Sequence, residues 1–127
     1  MSTVTTREMT YRDAVKEALA QAMRDNPDVV LLGEDIGDYG GVFKVTEGLI
    51  SEFGPDRVVD TPIAEAGFVG AAIGAAMCGK HPVVELMFMD FALVAADQLL
   101  NQAAKMRYLS GDDWQVPLTI RTQQGVG

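Results

Sequence analysis

Residues 29–32, Val-Val-Leu-Leu, form a short unbroken apolar run closed by Gly33. A strand with one wet face alternates apolar and polar residues, whereas a short continuous run fits a strand covered on both faces. Similar short runs occupy residues 57–60, 82–87 and 117–120. Helical spacing fills the intervals. Residues 11–24 place Ala14, Val15, Ala18, Leu19 and Ala22 on one face, with Thr10 as N-cap and Asn26-Pro27 as the stop. Residues 46–53 predict a short helix ended by Gly54-Pro55. Residues 67–79 are rich in Gly and Ala, a weak helix former that permits close backbone packing. Residues 92–108 predict the longest helix, with Leu93, Ala96, Leu99, Leu100, Ala103, Ala104 and Met106 at helical spacing. Strands alternating with helices predict an α/β fold, a mostly parallel sheet with helices on both faces and right-handed crossovers.

The chain of 127 residues fits one domain, taken here as residues 1–127. It ends in Gln-Gly-Val-Gly straight after an apolar run, which reads as a fragment or one domain of a longer protein. Ten Lys and Arg against 18 Asp and Glu give a net charge of −8. That balance argues against a nucleic-acid partner and against an anionic membrane surface. No apolar run approaches the ~18–20 residues of a membrane span. The first residues lack the apolar core of a secretory signal, so a cytoplasmic protein is expected. The single cysteine, Cys78, excludes an internal disulfide, and no Cys/His spacing suggests zinc.

Ligands of parallel sheets sit at the carboxyl ends of the strands. The polar residues there are Glu34, Asp35, Asp60, Glu65 and Asp90. A carboxylate near a helix start, as Glu65 is, is commonly a surface group that complements the helix dipole. Glu85 is less ordinary, because it interrupts an apolar strand and must face water, face a cavity or be paired. The glycines match neither a phosphate-binding P-loop nor a dinucleotide fingerprint. Cys78, in an Ala/Gly run, and His81, before Pro82, have no partners suggesting a hydrolytic triad. Met87, Phe88, Met89 and Phe91 form a cluster after the third strand. Strict alternation would put Met87 and Met89 on one face and Phe88 on the other. Such a cluster suits ordinary core or the wall of a site for a flat ring. Composition and spacing stop at an α/β domain with an apolar, carboxylate-bearing cleft.

Four segments go further. Residues 33–49 (Gly-Glu-Asp-Ile-Gly-Asp-Tyr-Gly-Gly-Val-Phe-Lys-Val-Thr-Glu-Gly-Leu) and residues 57–67 (Arg-Val-Val-Asp-Thr-Pro-Ile-Ala-Glu-Ala-Gly) are followed by Glu-Leu-Met-Phe-Met-Asp-Phe at 85–91 and by residues 97–108. Together they resemble the N-terminal, pyrimidine-binding domain of the β subunit of thiamine-diphosphate-dependent 2-oxo acid dehydrogenases, a group that includes pyruvate, branched-chain and acetoin enzymes. The resemblance runs from about Thr10 to Gly127 and implies a thiamine-diphosphate-binding fold of the pyrimidine type. It also implies an α2β2 heterotetramer with the cofactor between an α and a β subunit. The α subunit would bind the diphosphate and magnesium. Glu65 matches the family glutamate that hydrogen-bonds a ring nitrogen of the aminopyrimidine and is the implied catalytic residue. Met87 and Phe91 match residues lining that ring, and Glu34 matches an acidic residue near the same pocket. The carbonyl of Leu118 matches one ligand of a structural potassium ion found in some members.

The implied activity is oxidative decarboxylation of a 2-oxo acid with acyl transfer to lipoamide, the pyruvate type favoured over acetoin cleavage. A transketolase-type pyrimidine domain and a non-catalytic interaction module are the alternatives. The family's C-terminal domain, which helps dimerise two β subunits and contacts the acyltransferase core, is missing from these residues. So is a family histidine expected beyond Gly127, a role that His81 does not inherit. The chain alone is therefore expected to be inactive.

Overall fold

A computed structural model describes residues 6–125. The opening residues weighed against a secretory signal lie partly outside the described residues, as does the end of the Gln-Gly-Val-Gly tail. Helix α1 (Tyr11–Asp25) leads to β1 (Val29–Gly33), a short α2 (Leu49–Phe53) and β2 (Val58–Asp60). Then come α3 (Glu65–Met77), β3 (His81–Leu86), a 3-10 turn (Met89–Leu93), a π-helical stretch (Gln98–Ala103), α4 (Ala104–Leu109) and β4 (Thr119–Thr122). The four strands form one sheet in the order β2-β1-β3-β4, every pairing parallel. This is the fold class expected from the alternation of short apolar runs and helical segments.

The sheet is covered on both faces. Ala20 and Met23 of α1 and Leu49 of α2 pack with Leu31 and Val58 on one face. Phe68, Val69, Ala72 and Ile73 of α3 pack with Val84, Leu86 and Ala95 on the other. Leu31 serves the first core and Leu32 flanks the second, so the unbroken apolar run of β1 is explained residue by residue. The chain steps from β1 to β2 past α2 on the first face. It returns past β1 to β3 through α3 on the second, as right-handed crossovers require.

Local chemistry sets the ends. The Thr10 hydroxyl accepts from the Asp13 amide at 3.1 Å, capping α1 as expected. At the other end of α1 the Arg57 guanidinium, at the entry to β2, donates to the carbonyls of Met23, Asn26 and Val29. It thereby satisfies acceptors that the helix end leaves free and ties α1 to β2. Arg24 and Glu52 join α1 to α2 through two contacts of 2.6 and 2.9 Å.

Three elements differ from expectation. The helix foreseen over 46–53 starts only at Leu49, because Gly48 takes a left-handed conformation with φ of 82°. The last strand runs two residues later than the apolar pattern suggests and includes Arg121 and Thr122. The continuous helix foreseen over 92–108 is broken into a 3-10 turn, a π-helical stretch and α4. Leu93 and Leu100, placed by 3.6-residue spacing on a buried face, are 81% and 66% exposed. A π turn takes in an extra residue and rotates the helix beyond it, which a fixed period does not anticipate.

Gly33 pairs with Glu85 of β3. A Cβ there would stand 2.9 Å from the Glu85 carbonyl oxygen and 3.1 Å from its Cβ. Relief would require moving strand backbone, so Gly33→Ala is expected to destabilise the fold by about 1–3 kcal/mol. Urea unfolding of wild type and variant would measure the loss.

Candidate functional site

The order β2-β1-β3-β4 creates a switch point. The chain leaves β1 toward β2 and leaves the adjacent β3 toward β4. The connections diverge at the carboxyl ends of β1 and β3, opening the crevice in which parallel sheets bind ligands. Glu34 follows β1 directly, and Glu65 opens α3 after β2. Both are buried, at 8% and 7% exposure.

These two carboxyls are brought together by local hydrogen bonds. Gly37 donates its amide to the Asp60 carboxylate at 2.7 Å, and Thr61 donates its amide to the Gly33 carbonyl at 2.9 Å. The carboxyl ends of β1 and β2 are thereby held side by side, and the chain needs only Pro62, Ile63 and Ala64 to reach Glu65. Burial pushes the Glu34 carboxyl above the usual carboxylate range, and the nearby Glu65 and Asp35 charges push it further. Glu34 Oε1 has no hydrogen-bond partner, and neither has the buried Thr61 hydroxyl. Buried acceptors without donors are costly to fold, and a ligand bearing N–H groups would relieve that cost.

The other sequence candidates separate into groups. Asp35 and Asp90 are exposed. Met87 is half-buried and Phe91 is 37% exposed, both just past the carboxyl end of β3. The alternation assigned to residues 87–89 does not hold, because β3 ends at Leu86 and a 3-10 turn starts at Met89. Instead Phe88 packs edge-to-face on Phe91 at 5.9 Å and on Phe43 of the β1–α2 loop at 5.8 Å. Leu118 lies just before β4, at the opposite edge of the sheet from Glu34 and Glu65. Among the described residues no cluster of three or more His, Cys, Asp or Glu is arranged to hold a metal ion. Nor, among them, is any helix long and apolar enough to cross a membrane.

Glu85 resolves as a paired charge. Arg121 is its register partner on β4, with Nη1 2.6 Å from Glu85 Oε2. Sequence reasoning missed Arg121, which falls beyond the apolar run of residues 117–120. The signal was nonetheless present, since a carboxylate inside a buried strand asks for a cation on a neighbouring one. Phe43 and the bracing role of Asp60 were missed as well.

The raised Glu34 carboxyl has a consequence for stability. Its proton is held more tightly in the folded state than in the unfolded chain, so its contribution is fully present below the unfolded value and is lost as pH rises through the folded one. Glu34→Gln removes this titration. Relative to wild type, the variant should gain stability between pH 4 and pH 7. Denaturant unfolding at a series of pH values would show whether the gap widens in that direction.

Comparison with known proteins bears on the family and the fold. The family model described as transketolase, pyrimidine binding domain, matches residues 7–127. The chain is 50% identical over 117 residues to the pyruvate dehydrogenase E1 component subunit beta of Rhizobium meliloti, covering 92% of this chain and 25% of that protein. It is 46% identical to the 2-oxoisovalerate dehydrogenase subunit beta of Bacillus subtilis, covering 94% and 36%. It is 47% identical to the acetoin:2,6-dichlorophenolindophenol oxidoreductase subunit beta of the same organism, covering 95% and 39%. The chain thus spans between a quarter and two-fifths of the length of these relatives. Among solved structures, a split-gene transketolase described as an inactive beta4 tetramer superposes with a TM-score of 0.57 at 23% identity, covering 87% of this chain and 33% of that one. The family match over residues 7–127 and the parallel, doubly covered sheet lead to one conclusion: the chain belongs to the transketolase pyrimidine-binding domain family.

Proposed function

We propose that this chain is the pyrimidine-binding domain of the β subunit of a thiamine-diphosphate-dependent 2-oxo acid dehydrogenase, of the pyruvate type. The observation that carries the reading is the pair of buried carboxyls, Glu34 and Glu65, at the carboxyl ends of β1 and β2. The relatives named for pyruvate, 2-oxoisovalerate and acetoin support the enzyme class, and a pyruvate dehydrogenase subunit at 50% identity favours the pyruvate type. An acetoin-cleaving enzyme is the second reading, favoured by the 47% relative.

The residues fit the aminopyrimidine end of the cofactor. Glu34 Oε1 is a buried acceptor without a donor, and an exocyclic amino group would provide one. Glu65, buried at the first turn of α3, is the group proposed to exchange a proton with a ring nitrogen. Met87 and Phe91 supply apolar surface to the flat ring, with Phe91 held on edge by Phe88. When bound, thiamine diphosphate would supply a nucleophilic carbon for addition to a 2-oxo acid carbonyl, and the protein would supply orientation and electrostatics. Glu65 would hold and return the proton that this activation moves, and Glu34 would keep a second carboxyl at the same crevice.

The diphosphate, with magnesium, is assigned to a partner α subunit, and the Leu118 carbonyl to a potassium ion. An α2β2 assembly with a second β subunit is proposed, joined to a lipoyl acyltransferase through a part of the longer protein outside these residues. Exposed Leu93, Val94, Leu100, Tyr108 and Leu109 along the segment before β4 provide apolar surface for subunit contact.

Glu65→Gln in the complete enzyme tests the assignment. The amide still hydrogen-bonds but cannot relay a proton, so hydrogen–deuterium exchange at the thiazolium carbon should slow by about 10²–10⁴-fold while the cofactor stays bound. An unchanged exchange rate in the loaded, folded variant would remove Glu65 from the proton relay.

A further inference from the structure

On the first face of the sheet, the register sets Gly33, Glu85 and Arg121 in one row across β1, β3 and β4. The Glu85–Arg121 pair is largely buried, with side chains 11% and 21% exposed. Gly33 carries no side chain, so Glu85 lies directly against the backbone that runs into Glu34. The β1–α2 loop, residues 34–48, folds over this pair. Gly41, at a φ of 79°, passes above it: a Cβ there would stand 3.7 Å from Glu85 Oε1 and 3.2 Å from the Thr46 hydroxyl. Thr46 is 1% exposed and its hydroxyl has no hydrogen-bond partner. Thr46, Glu85 and Arg121 share a small, partly open cavity of about 10 Å³ with apolar side chains of α1, β1, β3 and the loop. That is close to the space one water occupies.

Ile36, fully buried in the core cluster with Leu31 and Val58, anchors the start of the loop, and Val45 is buried near its end. The loop's shaping hydrogen bonds are internal, from Gly41 N to the Asp35 carbonyl, Lys44 N to Gly41 and Thr46 N to Gly40. Asp60 holds its start through Gly37, and Phe43 meets Phe88 at its far side. Within the loop, Gly41 and Thr46 are the residues that lie against the charged pair. Leaving either charge unpaired would draw water beneath the loop, because a buried ion without its partner must be solvated.

We propose that the Glu85–Arg121 pair is a positioning device that seats residues 40–46 over the switch point and thereby sets the placement of Glu34 toward the cofactor. Neither residue touches the ring; both act through the loop and the end of β1. The inference rests on the reading of Glu34 as a cofactor-facing group.

The test uses the full-length subunit in its assembled enzyme, with Glu85→Gln, Arg121→Met, Arg121→Lys and the Glu85→Gln/Arg121→Met double variant. Amide hydrogen exchange is read without cofactor, and thiamine diphosphate affinity is measured by titration with magnesium present. Each charge-breaking single variant should speed exchange across residues 36–48 about tenfold or more and weaken the cofactor by about tenfold, with α1 and α3 unchanged. Arg121→Lys, which keeps the charge and loses the planar fork, should show a smaller effect of the same kind. The double variant, which leaves no lone charge, should recover both readouts toward wild type. Uniform acceleration in every segment, unchanged exchange in the loop, or faster loop exchange at unaltered affinity would each overturn the inference. A wild-type enzyme that fails to bind thiamine diphosphate would instead sink the functional reading, and this inference with it.

Discussion

Strand β1 is paired along both edges and covered on both faces, and nearly every other feature is placed by that constraint. Its in-register pairing with β2 and β3 fixes which residues meet at the carboxyl end of the sheet. Double burial explains why Leu31 and Leu32 are both apolar although they point opposite ways. It also explains why the strand finishes at a glycine, since Glu85 leaves no room for a side chain opposite it. The switch point exists because β1 is flanked by strands reached in opposite directions, and Glu34 stands at its lip.

Glu34 and Glu65 oppose the stability of the domain that holds them. Two buried carboxyls facing one crevice repel each other, and one acceptor has no donor. Ordinary cores avoid such arrangements, whereas sites that bind a polar ligand are built from them. The neighbouring Glu85–Arg121 pair follows the opposite rule: its charge is compensated within the sheet, and its carboxylate serves packing rather than ligation. The first arrangement leaves a demand that a ligand can meet, while the second is self-contained.

Short-range patterning was sufficient for most of the architecture. The run 29–32, the Thr10 cap and the stop at Asn26-Pro27 are read from a few neighbouring residues, and each is found where expected. The position of Glu65 at a helix start was also legible, but its burial was not, because burial depends on the crossing from β2 to α3 over β1. Arg57 illustrates the same limit. Nothing local marks it as the group that gathers three carbonyls from the end of α1 and the start of β1, since they come from residues 23–29. Residues 92–108 failed for a different reason. Their apolar residues do follow helical spacing, but exposed and core-facing leucines carry the same signature, and a π turn shifts the phase between them.

That π turn makes the Gln98–Ala103 stretch unusual in how it would tolerate a change of length. Each residue of an α-helix turns the chain by about 100°, so an indel in a helix re-aims all side chains beyond it, whereas one in a loop is absorbed. Deleting one residue here would let the stretch relax to a regular α-helix and leave Ala104–Leu109 near its present azimuth, because the wider π turn already absorbs one extra residue. Tyr108 and Leu109, 88% and 69% exposed, would keep the direction in which they now point. Among relatives of this domain, a single-residue gap in this stretch would therefore preserve the face that α4 presents and leave the sheet beneath it untouched.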